Sequence, residues 1–246
     1  MNRVLKPMAA IIGAAICVAA AAPFAINNSV RPPEDVARDA SRNPSAMVAF
    51  AKIKAGQTVV DILPGGGYFT RIFAQAVGPN GKVIALVSDQ MAARRPETAA
   101  VIQALASEPA YANVEPAVRS LGNIGAPNSI DMVWTAQNYH DLRSAKLPPN
   151  TITGINRAVF AALKPGGTYV VVDHSAAKGS GARDVDTLHR IDGALVIAEV
   201  TSVGFEFAGE STVLANPADD HSKIVFDPAI RGNTDQFIYR FVKPKM

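Results

Sequence analysis

A carboxylate followed by a glycine-rich turn is the feature of this sequence that most directly suggests chemistry. Asp61 lies near the end of an apolar run, and Gly65, Gly66 and Gly67 follow it before Tyr68. Glycines let the backbone approach a ligand closely, and the N–H groups at the start of a helix favour anions. The pattern predicts a site for a nucleotide-like ligand. The alternative is a glycine turn that binds nothing.

Polar side chains that could act on a substrate follow two later apolar runs. Asn138 and His140 come after one run, and Asp173 and His174 end another. An imidazole can act as a general base, and a neighbouring carboxylate can orient it or raise its pKa. Since adjacent strand residues point to opposite faces, we expect only one of Asp173 and His174 to enter the site. The alternative for Asn138 and His140 is helix capping or solvent contact.

A histidine and a carboxylate are also spaced for one helix face. His189 and Asp192 are three residues apart in a helix that we predict over 184–203, so both could reach over the site. A surface helix with salt bridges is the alternative.

A polar loop near the C-terminus holds three potential ligand groups, Asp219, Asp220 and His221. This loop could bind a metal, close over a substrate or simply turn the chain, and no metal ligand is assigned from the sequence. Arg231, further along, could bind a substrate carboxylate.

Strands and helices alternate along most of the chain. Strands are predicted over 58–63, 82–87, 113–118, 130–135 and 168–173, with an antiparallel pair at 205–214 and 236–242. Helices are predicted over 44–55, 69–77, 96–107, 151–163 and 184–203. This order indicates an α/β fold with helices on both faces of a mostly parallel sheet. Right-handed crossovers place the ligand crevice at the carboxyl ends of the first and fourth strands.

The order of these motifs resembles class I S-adenosylmethionine-dependent methyltransferases over roughly residues 44–244. Asp61 with Gly65 and Gly67 is similar to the family's acid and glycine loop, and Leu163-Lys164-Pro165-Gly166-Gly167 resembles the turn before its fifth strand. The segments Gly81–Ala85 and Ser129–Val133 resemble its second and fourth strands. More narrowly, the chain resembles exported bacterial proteins labelled predicted methyltransferases, with a Pro-Gly-Gly-Gly-Tyr loop and an Asn-Tyr-His-Asp segment.

The resemblance implies a Rossmann-like methyltransferase fold, with a seven-stranded mostly parallel sheet and an antiparallel terminal hairpin, that binds S-adenosylmethionine. It implies that Asp61, Gly65 and Gly67 contact this cofactor, while Gly66 supplies backbone freedom. Tyr68 would lie against the methionine part, and Asn138 would hold the donor or the substrate.

The sequence departs from the family pattern at three places. Leu63 stands where the first glycine of the loop is expected, and Val87 stands where an acid would hold the ribose hydroxyls. Asp89 lies two residues later and could reach the ribose instead. After the third strand, Arg119 and Ser120 occupy the region of a further acid.

The expected function is methyl transfer from S-adenosylmethionine to a polar small molecule, with His140, Asp173 and His174 as candidate catalytic residues. One alternative is a methyltransferase-like protein that has lost donor use and binds a periplasmic ligand or partner. Another is an isomerase or lyase that uses His140 or His174 as base. The chain contains no G-x-S-x-G elbow and no G-x-x-x-x-G-K-[ST] loop, which argues against a hydrolase of that type and a P-loop enzyme.

The N-terminus has the pattern of a secretory signal peptide. Arg3 and Lys6 precede the uncharged run Met8–Ala22, which contains Cys17, the only cysteine. We predict a signal peptide over 1–25, cleaved on export to the periplasm or medium, with an uncleaved anchor as the alternative.

The rest of the chain is predicted as an exposed lead-in over 26–43 and one domain over 44–246. The formal net charge of +3 falls to +1 without the two basic residues of the signal, and the remaining basic residues are scattered. We therefore expect a small-molecule substrate, no nucleic-acid partner and no membrane insertion after cleavage. The sequence leaves the oligomeric state open.

Overall fold

The computed structural model describes residues 24–245. The predicted signal peptide over 1–25 lies outside the described residues except for its last two positions. None of the helices within 24–245 combines the length and the apolar character needed to cross a bilayer.

A seven-stranded sheet forms the centre of the domain. Its strands are β1 (Thr58–Ile62), β2 (Lys82–Ser88), β3 (Val114–Arg119), β4 (Ile130–Ala136), β5 (Leu163–His174), β6 (Glu206–Ser211) and β7 (Gln236–Val242). They are arranged in the order β3-β2-β1-β4-β5-β7-β6. The first five pair in parallel, whereas β7 runs antiparallel to both β5 and β6. The predicted fold class is confirmed.

Helices precede the sheet and connect its strands. They are α1 (Pro33–Ala37), α2 (Asp39–Arg42), α3 (Pro44–Ala51), α4 (Tyr68–Val77), α5 (Asp89–Arg94), α6 (Glu97–Ser107), α7 (Tyr139–Leu142), α8 (Thr151–Ala162) and α9 (Gly193–Thr201). Single 3-10 turns cover Asn28–Val30 and Pro109–Tyr111.

Both faces of the sheet are buried at its centre, as the residues of β1 show. Val60 and Ile62 belong to the core cluster that includes α8 and α9, while Val59 belongs to the cluster that includes α4. Asp61 is two residues after Val59, so its side chain lies on the same face of the sheet and points toward α4. Trp134 in β4 is fully buried.

The order of the strands fixes where a ligand can bind. From β1 the chain continues outward to β2 and β3, and then returns to place β4 on the other side of β1. In sheets of this kind, the loops at the carboxyl ends of the two central strands diverge and leave a crevice. Asp61, Asn138 and His140 lie in or after these two strands.

The helix predicted over 184–203 is wrong in its first half. Only α9 is helical there, while residues 184–188 form turns and Ile191 makes a single β-bridge with Ser175. His189 has φ +55, a left-handed conformation that interrupts a helix, and the Asp192 side chain accepts a hydrogen bond from the Ala194 N–H as the cap of α9. His189 and Asp192 consequently do not share a helix face.

In the segment 26–43, predicted as an exposed lead-in, most residues are exposed or half-buried, but two charged residues are buried. Arg31 and Asp35 are buried, with 5% of each exposed. The Asp35 carboxylate pairs with Arg71 on α4 at 3.2 Å, and Arg31 pairs with Asp39 at 2.7 Å. The Asp35–Arg71 pair holds α1 against α4, and the Arg31–Asp39 pair joins α2 to the residues before α1.

Candidate functional site

Asp61 is a buried carboxylate near the carboxyl end of β1, with 3% of its surface exposed. The hydroxyl of Thr70 on α4 donates a hydrogen bond of 2.6 Å to its Oδ2. Burial raises the pKa of Asp61 to about 7, although the Thr70 hydrogen bond acts in the opposite direction. Among residues 24–245 no cationic side chain pairs with Asp61, so nothing in this part of the chain neutralises its charge.

We expect the Asp61 carboxyl to make folding stability depend on pH. Its pKa rises from 3.8 to about 7 on folding, so the folded chain holds a proton that the unfolded chain releases. The stabilising contribution of this bound proton to the free energy of unfolding is complete below about pH 4. It is lost as pH rises through about 7, by up to about 1.4 kcal/mol per pH unit. Because Asn cannot ionise, Asp61→Asn should gain stability over the wild type between about pH 5 and about pH 8.

Urea unfolding of both proteins at the two pH values measures this difference. Other titrating groups contribute equally to both proteins and cancel. A stability difference that stays constant with pH would contradict the raised pKa.

The turn between β1 and α4 exposes its backbone at two glycines. Gly65 and Gly66 are exposed and have no atom within 4 Å of the position that a Cβ would occupy. Gly67 is buried, with φ +82, and a Cβ there would collide with the Leu105 side chain. Leu63 adopts φ +54, a conformation that usually favours glycine. Gly65 and Gly66 thus offer backbone to a ligand, whereas Gly67 shapes the turn.

A small cavity of about 180 Å³ lies between this turn and the loop that follows β4. Asp61, the two exposed glycines, Tyr68 and Asn138 all line it. The Asn138 amide donates hydrogen bonds to the carbonyls of Leu63 (3.1 Å) and Ala136 (2.7 Å). The Asn138 N–H groups therefore tie the β1 turn to β4.

Helix α2 covers one side of the small cavity. The Tyr68 hydroxyl donates to Asp39 at 2.6 Å, and the Arg42 guanidinium lies over the Tyr68 ring, 4.7 Å from its centroid. Burial lowers the pKa of Arg42 to about 10, with repulsion from Arg38 as a further cause. Tyr68 lines the cavity, and its hydroxyl is already hydrogen-bonded to Asp39.

A larger cavity of about 600 Å³ lies at the carboxyl ends of β2 and β3, and Leu63 lines both cavities. Its volume is in the range of small-molecule sites. Asp89 and Ser120 contribute to its wall. Val87, where the resemblance places a ribose-binding acid, is only 3% exposed and packs in the core. Asp89 is therefore the carboxylate that reaches this cavity from β2.

A third cavity, of about 490 Å³, adjoins the small one on its other side. The two share Arg38, Arg42 and Gln137, while His174 and Arg231 line the third cavity alone. No acidic side chain of the described residues lines this third cavity. The three cavities form a row along the carboxyl edge of the sheet.

His140 and Asp173 are brought together at this edge from β4 and β5. Both are buried, and the His140 Nδ1 lies 2.8 Å from Asp173 Oδ1. Asp173 also accepts hydrogen bonds from the backbone N–H groups of His140 and His174. Burial lowers the pKa of His140, but the carboxylates of Asp173 and Asp141 outweigh it and raise this pKa to about 10. His140 is thus protonated at neutral pH and is a poor general base.

His174 behaves oppositely although it is adjacent to Asp173 in sequence. Burial lowers its pKa to about 4, against the attraction of Asp173, so His174 is neutral at pH 7. Its Nδ1 lies 2.7 Å from the Thr234 hydroxyl, and the side chain faces the third cavity. Asp173 and His174 point in different directions, and His174 is the one that enters a cavity.

Two more polar side chains surround the outer nitrogen of His140. Its Nε2 lies 3.2 Å from His189 Nδ1 and 3.3 Å from Asp141 Oδ1, and those two atoms are 3.4 Å apart. Asp141 also lines the 600 Å³ cavity. His189, in a left-handed conformation within the turns before α9, thus lies beside His140.

The polar loop near the C-terminus does not assemble a ligand set. Asp219 forms a fully buried ion pair with Arg190 at 2.9 Å. His221 Nε2 lies 3.0 Å from Asp235 Oδ2, and Asp220 is exposed. These bonds hold the loop in place before β7. Of the three predicted roles, namely metal binding, closure over a substrate and a simple turn of the chain, the turn fits best.

Sequence reasoning missed the roles of Arg38, Arg42 and Thr70. The two arginines are four residues apart in a segment taken as an exposed lead-in, and that spacing could have indicated one helix face. Thr70 lies in the helix predicted over 69–77, and no sequence pattern indicated its hydrogen bond to Asp61.

No protein-family model and no curated protein sequence matches this chain. Solved structures do match its fold. A SAM-dependent methyltransferase from Aquifex aeolicus has a TM-score of 0.59 at 17% identity, over 82% of this chain and 89% of that one. A TehB-like SAM-dependent methyltransferase from Corynebacterium glutamicum has a TM-score of 0.54 at 12% identity, over 85% of this chain and 95% of that one. The cyclase SpnF has a TM-score of 0.61 at 16% identity, over 84% of this chain and 82% of its own. At these identities the likeness shows a shared fold.

Proposed function

We propose that the protein transfers a methyl group from S-adenosylmethionine to a small polar acceptor that carries an anionic group. One observation carries this proposal. Asp61 is a buried carboxylate with no cationic partner among residues 24–245, and it faces a cavity beside exposed glycine backbone. It lies on the first strand of a fold that SAM-dependent methyltransferases share. A positively charged donor would supply the opposite charge that no residue among 24–245 places beside Asp61.

The residues around the cavities fit the parts of this donor. Asp61 would bind its ammonium group, and the N–H groups of Gly65 and Gly66 would bind its carboxylate at the start of α4. Asp89 in the larger cavity would accept hydrogen bonds from the ribose hydroxyls. When bound, S-adenosylmethionine supplies an electrophilic methyl group on its sulfonium.

The third cavity fits an anionic acceptor. Arg38, Arg42 and Arg231 line it without any acidic side chain from the described residues. Guanidinium groups bind carboxylates and phosphates through paired hydrogen bonds. Arg42 is the strongest candidate, because it is desolvated and, among residues 24–245, its side chain hydrogen-bonds only to Gln137, at 3.3 Å. The cavity adjoins the donor site through these shared residues.

The groups at this edge favour transfer by positioning rather than by acid–base catalysis. His140 already carries its proton at neutral pH, and His174 with a pKa of about 4 is a weak base. We infer that the acceptor atom is already unprotonated when it binds, so that its lone pair can attack the methyl group without a general base. Holding this atom in line with the methyl group is then the main contribution of the chain.

Mass spectrometry of ligands retained through gentle purification tests the proposal. We expect S-adenosylmethionine or S-adenosylhomocysteine to be retained by the protein. An unrelated metabolite in their place would contradict methyl transfer and favour a methyltransferase-like binding protein.

The proposal includes membership of the exported methyltransferase-like group and a location in the periplasm or medium. The basic start and uncharged run before residue 23 support export. N-terminal sequencing of the mature protein should find a start near residue 26. An intact N-terminus in the cytoplasm would contradict export.

A further inference from the structure

We propose that His140, Asp141 and His189 bind one divalent transition-metal ion, with zinc as the first candidate. Within residues 24–245 they are the one group of three histidine, cysteine or acidic side chains found close enough to hold an ion, with ligand atoms within 4.8 Å of one another. His140 and Asp141 belong to α7, and His189 lies in the turns before α9. The sequence assigned no metal to these residues.

The separations of the three ligand atoms match a tetrahedral ion. The distances are 3.2 Å for the two imidazole nitrogens and 3.3 and 3.4 Å from each to Asp141 Oδ1. Zinc bonds to nitrogen and oxygen imply ligand atoms roughly 3.3–3.6 Å apart at tetrahedral angles. An ion at the centre would therefore need little movement of these side chains.

Asp173 orients the first ligand as metal sites require. Its carboxylate binds the Nδ1 of His140 at 2.8 Å, which leaves Nε2 as the nitrogen that faces the other two ligands. A carboxylate on the far nitrogen of a ligating histidine fixes its tautomer and ring direction. Asp173 also accepts a hydrogen bond from the His140 N–H, so the imidazole is held by two contacts.

The site is accessible and has an open side. The side chains of Asp141 and His189 are 53% and 31% exposed, and Asp141 lines the 600 Å³ cavity. Three protein ligands leave a coordination position for water or substrate, as in zinc sites that act on substrates. An ion here would lie beside the cavity that we assign to the donor, but the site does not depend on that assignment.

The ligand types select among ions. Two imidazoles suit zinc, copper, nickel and iron, whereas magnesium and calcium prefer oxygen ligands throughout. Without an ion, the protonated His140 pairs with Asp141, so a metal would bind by displacing the proton on the His140 Nε2. An ion pair that holds this proton against the metal is the alternative, and metal titration separates the two.

The experiment is a zinc titration of the tag-free protein by calorimetry, with cobalt absorbance as a second probe. We expect one equivalent of zinc to bind, and cobalt to give the visible absorption of a low-symmetry nitrogen and oxygen site. His189→Ala and Asp141→Asn should each weaken zinc binding by at least about tenfold. Magnesium should not compete.

The matched control is His221→Ala, because His221 is half-buried and bound to a carboxylate but lies outside the cluster. Its zinc binding should equal that of the wild type. Circular dichroism checks folding, and the exposed Asp141 gives a second variant if His189→Ala unfolds. No binding by the wild type, unchanged binding by both cluster variants, or loss of binding in His221→Ala would each overturn the proposal.

Discussion

Replacing Asp61 with Asn should weaken the binding of S-adenosylmethionine by about ten- to a hundredfold. The carboxylate is buried beside the glycine turn, and among residues 24–245 no cation already pairs with it. Asn keeps the shape and can still accept the Thr70 hydrogen bond, but it cannot neutralise the ammonium of the donor. Hydrogen bonds to charged groups contribute about 1.5–3 kcal/mol, which corresponds to this range.

Calorimetric titration of wild type and variant measures the effect. Asp220→Asn is the matched control, since it removes an exposed carboxylate outside the cavities. Equal affinities for wild type and Asp61→Asn would show that Asp61 does not contact the donor. The variant should fold at least as stably as the wild type at neutral pH, because it no longer buries an ionisable group.

Replacing Asp173 with Ala should lower the free energy of unfolding by about 3–5 kcal/mol. The side chain is completely buried and accepts three hydrogen bonds, from the His140 ring and from the N–H groups of His140 and His174. Its loss leaves a buried imidazole and two buried N–H groups without their partner. Removing one member of a buried pair is costly for that reason.

The energetic coupling between Asp173 and His140 is measured by urea unfolding of four proteins: wild type, Asp173→Ala, His140→Ala and the double variant. We expect the double variant to lose less than the sum of the two single losses. Additive losses, or a loss below about 1 kcal/mol for Asp173→Ala, would mean that the pair does not stabilise this edge of the sheet.

Local patterns were sufficient to predict most of the fold. The apolar run before Asp61, the glycine turn and the apolar face of α4 are neighbours in sequence, so each signal is complete within one segment. The helix over 184–203 failed because the apolar residues continue through 184–192 at helical spacing. Asp192 before Gly193 is a typical cap and could have marked the true start of α9.

The sequence predicted the edge of the site but not its contacts. Strand order places the loops after β4 and β5 side by side, which brings His140 and Asp173 to one place across 33 positions. Which nitrogen meets which oxygen depends on packing that no local pattern encodes. The same limit applies to α2. Arg42 lies at the cavity because ion pairs of Arg31 and Asp35 position this segment, and no local pattern predicts those pairs.

The central claim is that the cavity at Asp61 binds a positively charged methyl donor, and titration of the wild-type protein with S-adenosylmethionine at neutral pH tests it most directly. We expect saturable binding of one donor per chain, tightening as pH rises through about 7 and the Asp61 carboxyl ionises. Absence of heat at millimolar donor, or an affinity that does not change with pH, would contradict that claim.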